Sequence, residues 1–368
     1  MFDLGAIDQL PATLAAQPMP LDAVGLIEEV DALETAVCAL RARQARAASA
    51  LVDLRAAEER RPRMARIERS VGAEVALARR IAPARGRRFV ALARVLAETM
   101  PRTRAAFEAG RLDEARVGVL VAETECVSAE HRARIDAALA DDPVAVGRQG
   151  ERELRAAARG LACSLDAASV VERRRRAEGD RRVTIRPAAD SMVYLTAALP
   201  VREGVSVYAA LRAAATAAVA SGEASGIGQG MADHLVRCIT GRPVTEPLPL
   251  RLRVTVPARA LVSPSGEVRP GDVATLSDAT GAIRVDALPV ELAREWVAGN
   301  LAHGARVELQ RLFADPVEGS LVAMESSARR FPAALADFIA VRDGWCRTPY
   351  CNAPGAPSRP RGPPRRRW

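Results

Sequence analysis

Lysine is absent from this 368-residue sequence, and histidine occurs only as His131, His234 and His303. All other basic side chains are therefore arginine, which suggests a GC-rich coding bias and weakens any inference from arginine richness to phosphate binding. Aromatic residues make up only 3% of the sequence. The hydrophobic cores must therefore be built mainly from alanine, valine and leucine.

Long apolar runs are missing as well. No stretch of about 18 apolar residues occurs, so the sequence predicts no membrane span and no membrane partner. The first twenty residues include Asp3 and Asp8 and no basic residue, unlike a signal peptide. We therefore expect a cytoplasmic protein, and the length suffices for two or three structural units.

Regular disulfide spacing is also lacking, because the six cysteines are scattered. Four of them lie alone in apolar or helical patterns and are expected to be buried free thiols: Cys38, Cys126, Cys163 and Cys238. Cys346 and Cys351 differ, since they lie five residues apart around a turn that contains Pro349. Their spacing is half of a four-ligand zinc clamp.

The formal net charge of +8 is concentrated at the C-terminal end. Residues 355–368 contain five arginines and no acidic residue, and removing those five charges leaves +3 for the body of the chain. Proline and arginine dominate this stretch without any folding pattern, so we expect a disordered tail.

Hydrophobic periodicity predicts a mainly α N-terminal half that is followed by an α+β part. Residues 1–20 are predicted to form a loose arm, residues 21–165 a helical region, and residues 166–315 the α+β part. The expected helices include 102–109, 113–124, 128–140, 146–162, 205–220, 231–239, 290–302 and one from Pro332, and the expected strands are 183–185, 192–195, 250–256, 307–313 and 320–324. Gly226 to Gly230 are predicted to form a loop, since no strand precedes them and no Lys-Ser/Thr follows.

A heptad seam runs along the first long helix, over residues 26–54. Its members step by four and three, with one polar break: Leu26, Val30, Leu33, Val37, Leu40, Gln44, Ala47, Leu51 and Leu54. Such a seam can pair with a second copy or dock on helices of its own chain. We favour docking within the chain and keep a homodimer through residues 26–54 as the alternative.

Two short helices around the turn at residues 82–86 resemble a helix-turn-helix, and Arg85, Arg87 and Arg88 would open the second helix. These arginines are candidates for contact with DNA phosphates, although a helical hairpin with a solvated basic end is the interpretation that we favour. The run of Arg173, Arg174, Arg175 and Arg176 is a second candidate for nucleic-acid binding, and here we favour a solvated linker.

Sequence motifs near the C-terminal end carry a family resemblance. They are residues 321–332 (LVAMESSARRFP), Phe338-Ile339, Arg342-Asp343 and residues 346–354 (CRTPYCNAP). Together they resemble the start of an HNH endonuclease module, over residues 316–354, of the type fused to the domain of unknown function 222. This family is also called the 13E12 repeat family and is abundant in actinobacteria. Residues 105–112, 180–183 and 192–208 are similar to its body.

The resemblance implies a nuclease in which a His-Asp-His cluster, an Asn and a Cys-x2-Cys follow the first cysteine pair. A histidine base would activate water, a divalent ion such as Mg²⁺ would stabilise the leaving oxygen, and zinc would hold the loop. In this sequence, however, no histidine follows Cys346 and no cysteine follows Cys351. None of the three histidines is expected to pair with a second His or Cys at ligand spacing.

We therefore expect no catalytic residues, a cysteine pair that is insufficient for zinc, and a truncated, inactive module (a pseudoenzyme). A frameshift in a GC-rich gene would produce such a chain. The alternative is a non-catalytic module that binds DNA through its arginine clusters or associates with itself. A third hypothesis is an active nuclease that uses residues not recognised here.

Overall fold

The computed structural model describes residues 4–139, 143–188, 190, 192–242, 252–255, 274–278, 284–302, 343 and 345–353. It divides into two units, Met1–Arg175 and Arg176–Trp368. The helices of the first part of the chain are α1 (Leu4–Ala16), α2 (Ala23–Ala57), α3 (Met64–Ala78), α4 (Pro83–Glu98), α5 (Pro101–Glu108), α6 (Glu114–Glu123), α7 (Ala129–Leu139), α8 (Pro143–Arg148), α9 (Glu151–Leu165) and α10 (Ala167–Gly179).

The later elements mix strands with helices. They are β1 (Arg182–Pro187), β2 (Val193–Ala198), α11 (Val201–Ala220), α12 (Ile227–Thr240), β3 (Leu252–Thr255), β4 (Ala274–Asp278), β5 (Arg284–Leu288) and α13 (Val290–Ala302). The predicted fold class, mainly α and then α+β, is confirmed. Among the described helices, none has both the length and the apolar character needed to cross a bilayer.

The arm predicted over residues 1–20 contains helix α1, with Pro11 inside it and nearly all of its described residues exposed. One prediction about the N-terminal half was wrong. The helix expected over 146–162 is two helices, α8 and α9, which are separated at Gln149 and Gly150. The Glu153 side chain accepts a 3.2 Å hydrogen bond from the Gly150 N–H, so a new helix start is capped there.

Helix α2 begins at a well-formed cap, where Asp22 Oδ1 accepts the N–H groups of Val24 and Gly25 at 3.0 and 2.9 Å. Its buried stripe consists of small side chains: Cys38, Ala42, Ala45, Ala48, Ser49 and Val52. This stripe packs on α3, α4 and α5. The predicted docking of the leucine-rich seam within the chain was therefore wrong, because the small residues bring α2 close to the body and leave the seam outside.

The main core joins α2 to α4, α5, α6, α7 and α9. Its largest fully buried side chains are Leu96, Met100, Phe107, Leu112, Leu120, Ile135 and Leu154. A second cluster lies between α2, α3 and α4, around Val52, Val71, Phe89 and Val90. The helical region is therefore built as the composition predicts, mainly from aliphatic residues with few aromatic rings.

A buried carboxylate holds α5 against α7. Asp136 is 1% exposed, and its oxygens accept the N–H groups of Arg102 and Thr103, both at 2.8 Å, and the Thr103 hydroxyl at 2.6 Å. These N–H groups lie in the first turn of α5, where backbone N–H groups have no hydrogen-bond acceptor within their own helix. Asp136 therefore acts as a helix cap supplied from a distant part of the sequence.

Helices α3 and α4 form the helical hairpin that the sequence favoured, and they meet at glycines. A Cβ atom on Gly86 would lie 2.2 Å from the carbonyl oxygen of Gly72 and 2.5 Å from Cβ of Ala76. Both distances are far below van der Waals contact, so the hairpin requires glycine at residue 86.

The hairpin β1–β2 confirms the predicted strands, with Thr184 opposite Thr196 in an antiparallel pair. Helix α12 packs on α11, and it starts at Ile227, so the predicted loop at residues 226–230 was wrong. The reason is packing: a Cβ on Gly230 would lie 3.1 Å from Cβ of Ala215. Glycine serves here to bring two helices together, and Gly241, with φ of +72°, ends α12.

Strands β3, β4 and β5 form an antiparallel sheet in that order, and α13 follows. Strand β3 confirms the strand predicted near residues 250–256. The strands predicted at 307–313 and 320–324, the helix from Pro332 and the tail at 355–368 lie outside the described residues.

Replacing Gly86 with alanine should force α3 and α4 apart and destabilise the helical unit by about 1–3 kcal/mol, because overpacked contacts cost that much. Thermal unfolding followed by circular dichroism measures the effect. Gly160→Ala is the matched control, since nothing lies within 4 Å of its added Cβ in helix α9. That change should stabilise the helix by roughly 0.5–1 kcal/mol. Equal melting temperatures for the two variants would contradict the close contact.

Candidate nucleic-acid interface and cysteine pair

The start of α4 presents three arginines to solvent. Pro83 occupies the first helical turn, and Arg85, Arg87 and Arg88 follow it, all exposed, while Gly86 between them is buried against α3. No acidic side chain among the described residues forms an ion pair with any of the three. A helix N-terminus carries partial positive charge, which adds to the field of the arginines. This end of the hairpin is therefore suited to anions such as phosphates.

Other arginines of the same unit are engaged by the fold. Arg79 lies 2.6 Å from a carboxylate oxygen of Glu114 and stacks over the Phe89 ring at 3.7 Å. Arg116 donates to three backbone carbonyls that surround the end of α8. Arg94 pairs with acidic residues on α2 and α4. The structure thereby distinguishes arginines that hold the fold from those that face solvent.

The second predicted cluster, Arg173 to Arg176, lies in helix α10 at the boundary between the two units, and three of its four side chains are exposed. An alanine- and arginine-rich segment has high helix propensity, and Asp166 caps the helix start by accepting the Ser169 N–H at 3.0 Å. Arg173 reaches the Glu123 carbonyl at 3.4 Å. Arg173 is thus partly committed to the body, unlike the exposed arginines of α4.

The cysteine pair forms a compact knuckle. The Cys346 N–H donates to the Ala353 carbonyl at 2.8 Å, and the Cys351 N–H donates to the Thr348 carbonyl at 3.0 Å. Tyr350, with φ of +61°, turns the chain so that Cys351 comes back toward Cys346. The Thr348 hydroxyl lies 3.4 Å from Cys346 Sγ. The Thr348 hydroxyl and N–H, together with the Cys351 thiol, hold the pKa of Cys346 below its ordinary value.

A thiol with a lowered pKa is a better metal ligand, because metals bind the thiolate. Structural zinc, however, takes four ligands, and the knuckle supplies two. Within the described part of the chain, no group of three or more His, Cys, Asp or Glu side chains could hold a metal ion. The described residues alone therefore do not form the closed zinc site that the sequence resemblance implies.

One prediction about the histidines was wrong. His234 and Cys238 lie one turn apart on α12, with Nε2 and Sγ 3.3 Å apart, which is ligand spacing. The i, i+4 separation in a helical segment is the sequence signal that could have found this pair. His131 instead lies 3.7 Å from a carboxylate oxygen of Asp166, and His303 falls outside the described residues.

The expected burial of the four scattered thiols holds only in part. All are free: Cys38 is buried, Cys126 is partly buried, and Cys163 and Cys238 are exposed. Burial, with the nearby Glu34 carboxylate, raises the pKa of Cys38 to about 11. Cys38 is therefore a core residue without thiolate character at neutral pH.

These features define a mainly helical protein with an exposed basic helix end and a two-cysteine knuckle. A model of the domain of unknown function DUF222 matches residues 32–238, which is more than half of the chain, so the protein belongs to this family. No curated protein and no solved structure matches the chain. The matched residues include the α4 arginines and the α10 arginines but not the knuckle.

Replacing Thr348 with valine should raise the pKa of Cys346 toward its ordinary value, because the hydroxyl that stabilises the thiolate is lost. Alkylation by iodoacetamide, followed as a function of pH by mass spectrometry of the Cys346 peptide, measures this shift. In the unmodified protein, the reaction should reach half its maximal rate at a lower pH than in the variant. Superimposable pH profiles would contradict the contact, and Thr240→Val, remote from the knuckle in sequence, serves as the control.

Proposed function

We propose that this DUF222 protein is an HNH-endonuclease-related, nucleic-acid-binding protein that does not cleave its target. The α4 arginines carry the proposal, since Arg85, Arg87 and Arg88 are exposed at a helix start without an ion pair among the described residues. Phosphates of DNA are the ligands that this arrangement suits best. Arg173 to Arg176 on α10 are secondary contacts in this proposal.

The relationship to HNH nucleases is supported by the sequence motifs around the cysteine pair and by the knuckle at residues 346–353. Hydrolysis of a phosphodiester needs a placed base and a divalent ion such as Mg²⁺. The sequence supplies no histidine after Cys346, and the knuckle provides two thiols. For these 368 residues we therefore propose a binding role, with the cysteine pair as a weak zinc site.

A second candidate function is self-association through α2, favoured by the exposed face of that helix. Val30 is 63% exposed, and Leu26, Leu33, Val37 and Leu40 are also accessible to solvent. An apolar stripe of this length on a protein surface is typical of an interface. Pairing and DNA binding use different helices and are therefore compatible.

Changing Arg85, Arg87 and Arg88 together to glutamine should weaken binding to duplex DNA about tenfold or more and reduce the slope of log Kd against log salt by about 2 to 3. Fluorescence anisotropy at several salt concentrations measures both quantities. The matched control changes Arg60, Arg61 and Arg63 to glutamine, since these arginines are exposed in the connection between α2 and α3. Equal weakening by both triple variants would point to long-range charge instead of a contact at α4.

The purified 368-residue chain should leave supercoiled plasmid intact in Mg²⁺ or Mn²⁺, because it lacks the histidine base. Agarose-gel electrophoresis over a concentration series measures nicking and linearisation. Cleavage that EDTA abolishes, and that co-purifies with the sequence-verified chain, would overturn the assignment. A parallel sample with Cys346→Ser and Cys351→Ser would then show whether the knuckle contributes.

A further inference from the structure

The exposed seam of α2 has an uneven charge distribution. Residues 22–40, from the helix cap to Leu40, include five acids and no base: Asp22, Glu28, Glu29, Asp31 and Glu34. The remainder, residues 41–57, contains four arginines and one acid. One half of the helix is therefore acidic and the other half is basic. Such a helix complements a copy of itself that runs in the opposite direction.

The buried and exposed stripes of α2 lie on different faces, whose centres are about 110° apart at 3.6 residues per turn. The seam steps through Leu26, Val30, Leu33, Val37 and Leu40, while Cys38, Ala42 and Ala45 contact the body. The seam is exposed up to Leu40, so a second helix can reach this part of it from solvent. Only Leu51, in the second half of the seam, is partly covered by the body.

The flanks of the seam decide which orientation is favourable. Leu26, Leu33 and Leu40 occupy one core position of the heptad, and Val30 and Val37 occupy the other. The charged residues at the positions that flank this core are Glu29, Glu34, Arg41 and Arg43. A parallel pair in register places Glu29 of each copy opposite Glu34 of the other, and the two acidic halves lie together. Like charges at these positions disfavour the parallel arrangement.

Antiparallel pairs can form in registers that differ by one heptad, and charge separates them. In one register Glu34 meets Glu34 of the second copy, and in another Arg41 meets Arg41. The register between these two brings Glu34 of each copy against Arg41 of the other. Its core layers pair Leu26 with Leu51, Val30 with Ala47, Leu33 with Gln44 and Val37 with Leu40, each occurring twice.

We propose that two copies of this chain pair antiparallel through α2, with Glu34 of each copy against Arg41 of the other. This inference rests on the proposed self-association and adds its orientation and register. The paired segment, residues 26–51, is about 39 Å long at 1.5 Å per residue. The polar Gln44 faces a leucine in each of these three registers, so the charges and not this residue separate them. Both charged side chains are accessible, although Arg41 already approaches Glu114 at 3.9 Å.

The test uses charge reversal in the full chain, with sedimentation equilibrium as the measurement. E34R and R41E each place like charges at both contact points, so each should raise the dimer dissociation constant about tenfold or more. The double variant E34R/R41E should regain the affinity of the unmodified chain. A mixture of E34R with R41E should form a heterodimer, which native mass spectrometry identifies by its mass.

A second pair of variants tests the seam independently of charge. Leu33→Asp should produce a monomer, while Ala32→Asp, one residue away on an exposed and non-seam position, should leave the dimer intact. Circular dichroism confirms that each variant is folded, which matters for R41E because the new carboxylate lies near Glu114.

The possible results separate the two levels of the proposal. A monomeric unmodified chain, or a dimer that Leu33→Asp leaves unchanged, overturns self-association through α2 and the register with it. If another part of the same chain covers the seam, the unmodified chain will be a monomer and Leu33→Asp will lower its folding stability. That result also overturns self-association through α2 and the register. Loss of the dimer in Leu33→Asp without heterodimer formation in the E34R and R41E mixture overturns the register alone.

Discussion

Close approach of helices through small side chains is the constraint on which this structure depends. With aromatics at 3% of the sequence, large rings cannot fill wide spaces between helices, so the helices must lie near one another. Gly72 and Gly86 join α3 to α4, and Gly230 and Ala215 join α12 to α11. Alanines of α2 perform the same role against α4 and α5. The same solution thus recurs in both units.

This solution determines which surfaces remain for function. Because α2 buries its alanines, its leucines and valines are left on the outside, where they form an apolar stripe. Gly86 is buried against α3, and the stem of Arg87 passes close to Gly72 of α3, while Arg85, Arg87 and Arg88 remain exposed near the start of α4. The packing of small residues and the exposure of functional residues are therefore two consequences of the same helix geometry, since one face of each helix must be buried.

Where hydrophobic periodicity was strong, the sequence correctly predicted whether a segment is a helix or a strand. It predicted poorly which face of a helix is buried. The hairpin β1–β2, helix α11 and the α3–α4 hairpin follow from apolar spacing and turn residues. The docking face of α2 could not be predicted in this way, because a stripe of alanines gives a weak hydrophobic signal beside a stripe of leucines. Gly228 and Gly230 looked like loop residues for a similar reason, since their role depends on the partner helix. The pairing of His234 with Cys238 required only that the segment be helical.

The candidate sites differ in how far local chemistry can specify them. A knuckle of two cysteines is encoded within eight residues, so its spacing identified it, and its hydrogen bonds to Thr348 lower the pKa of Cys346. The basic end of α4 depends on tertiary structure, because arginines elsewhere in the chain are engaged by the fold. Arg79 forms an ion pair with Glu114, and Arg116 donates hydrogen bonds to backbone carbonyls. Arginine content alone therefore says little about phosphate binding in this protein. The presence or absence of an acidic partner is the property that separates a structural arginine from one available to a ligand, and only the folded chain reveals it.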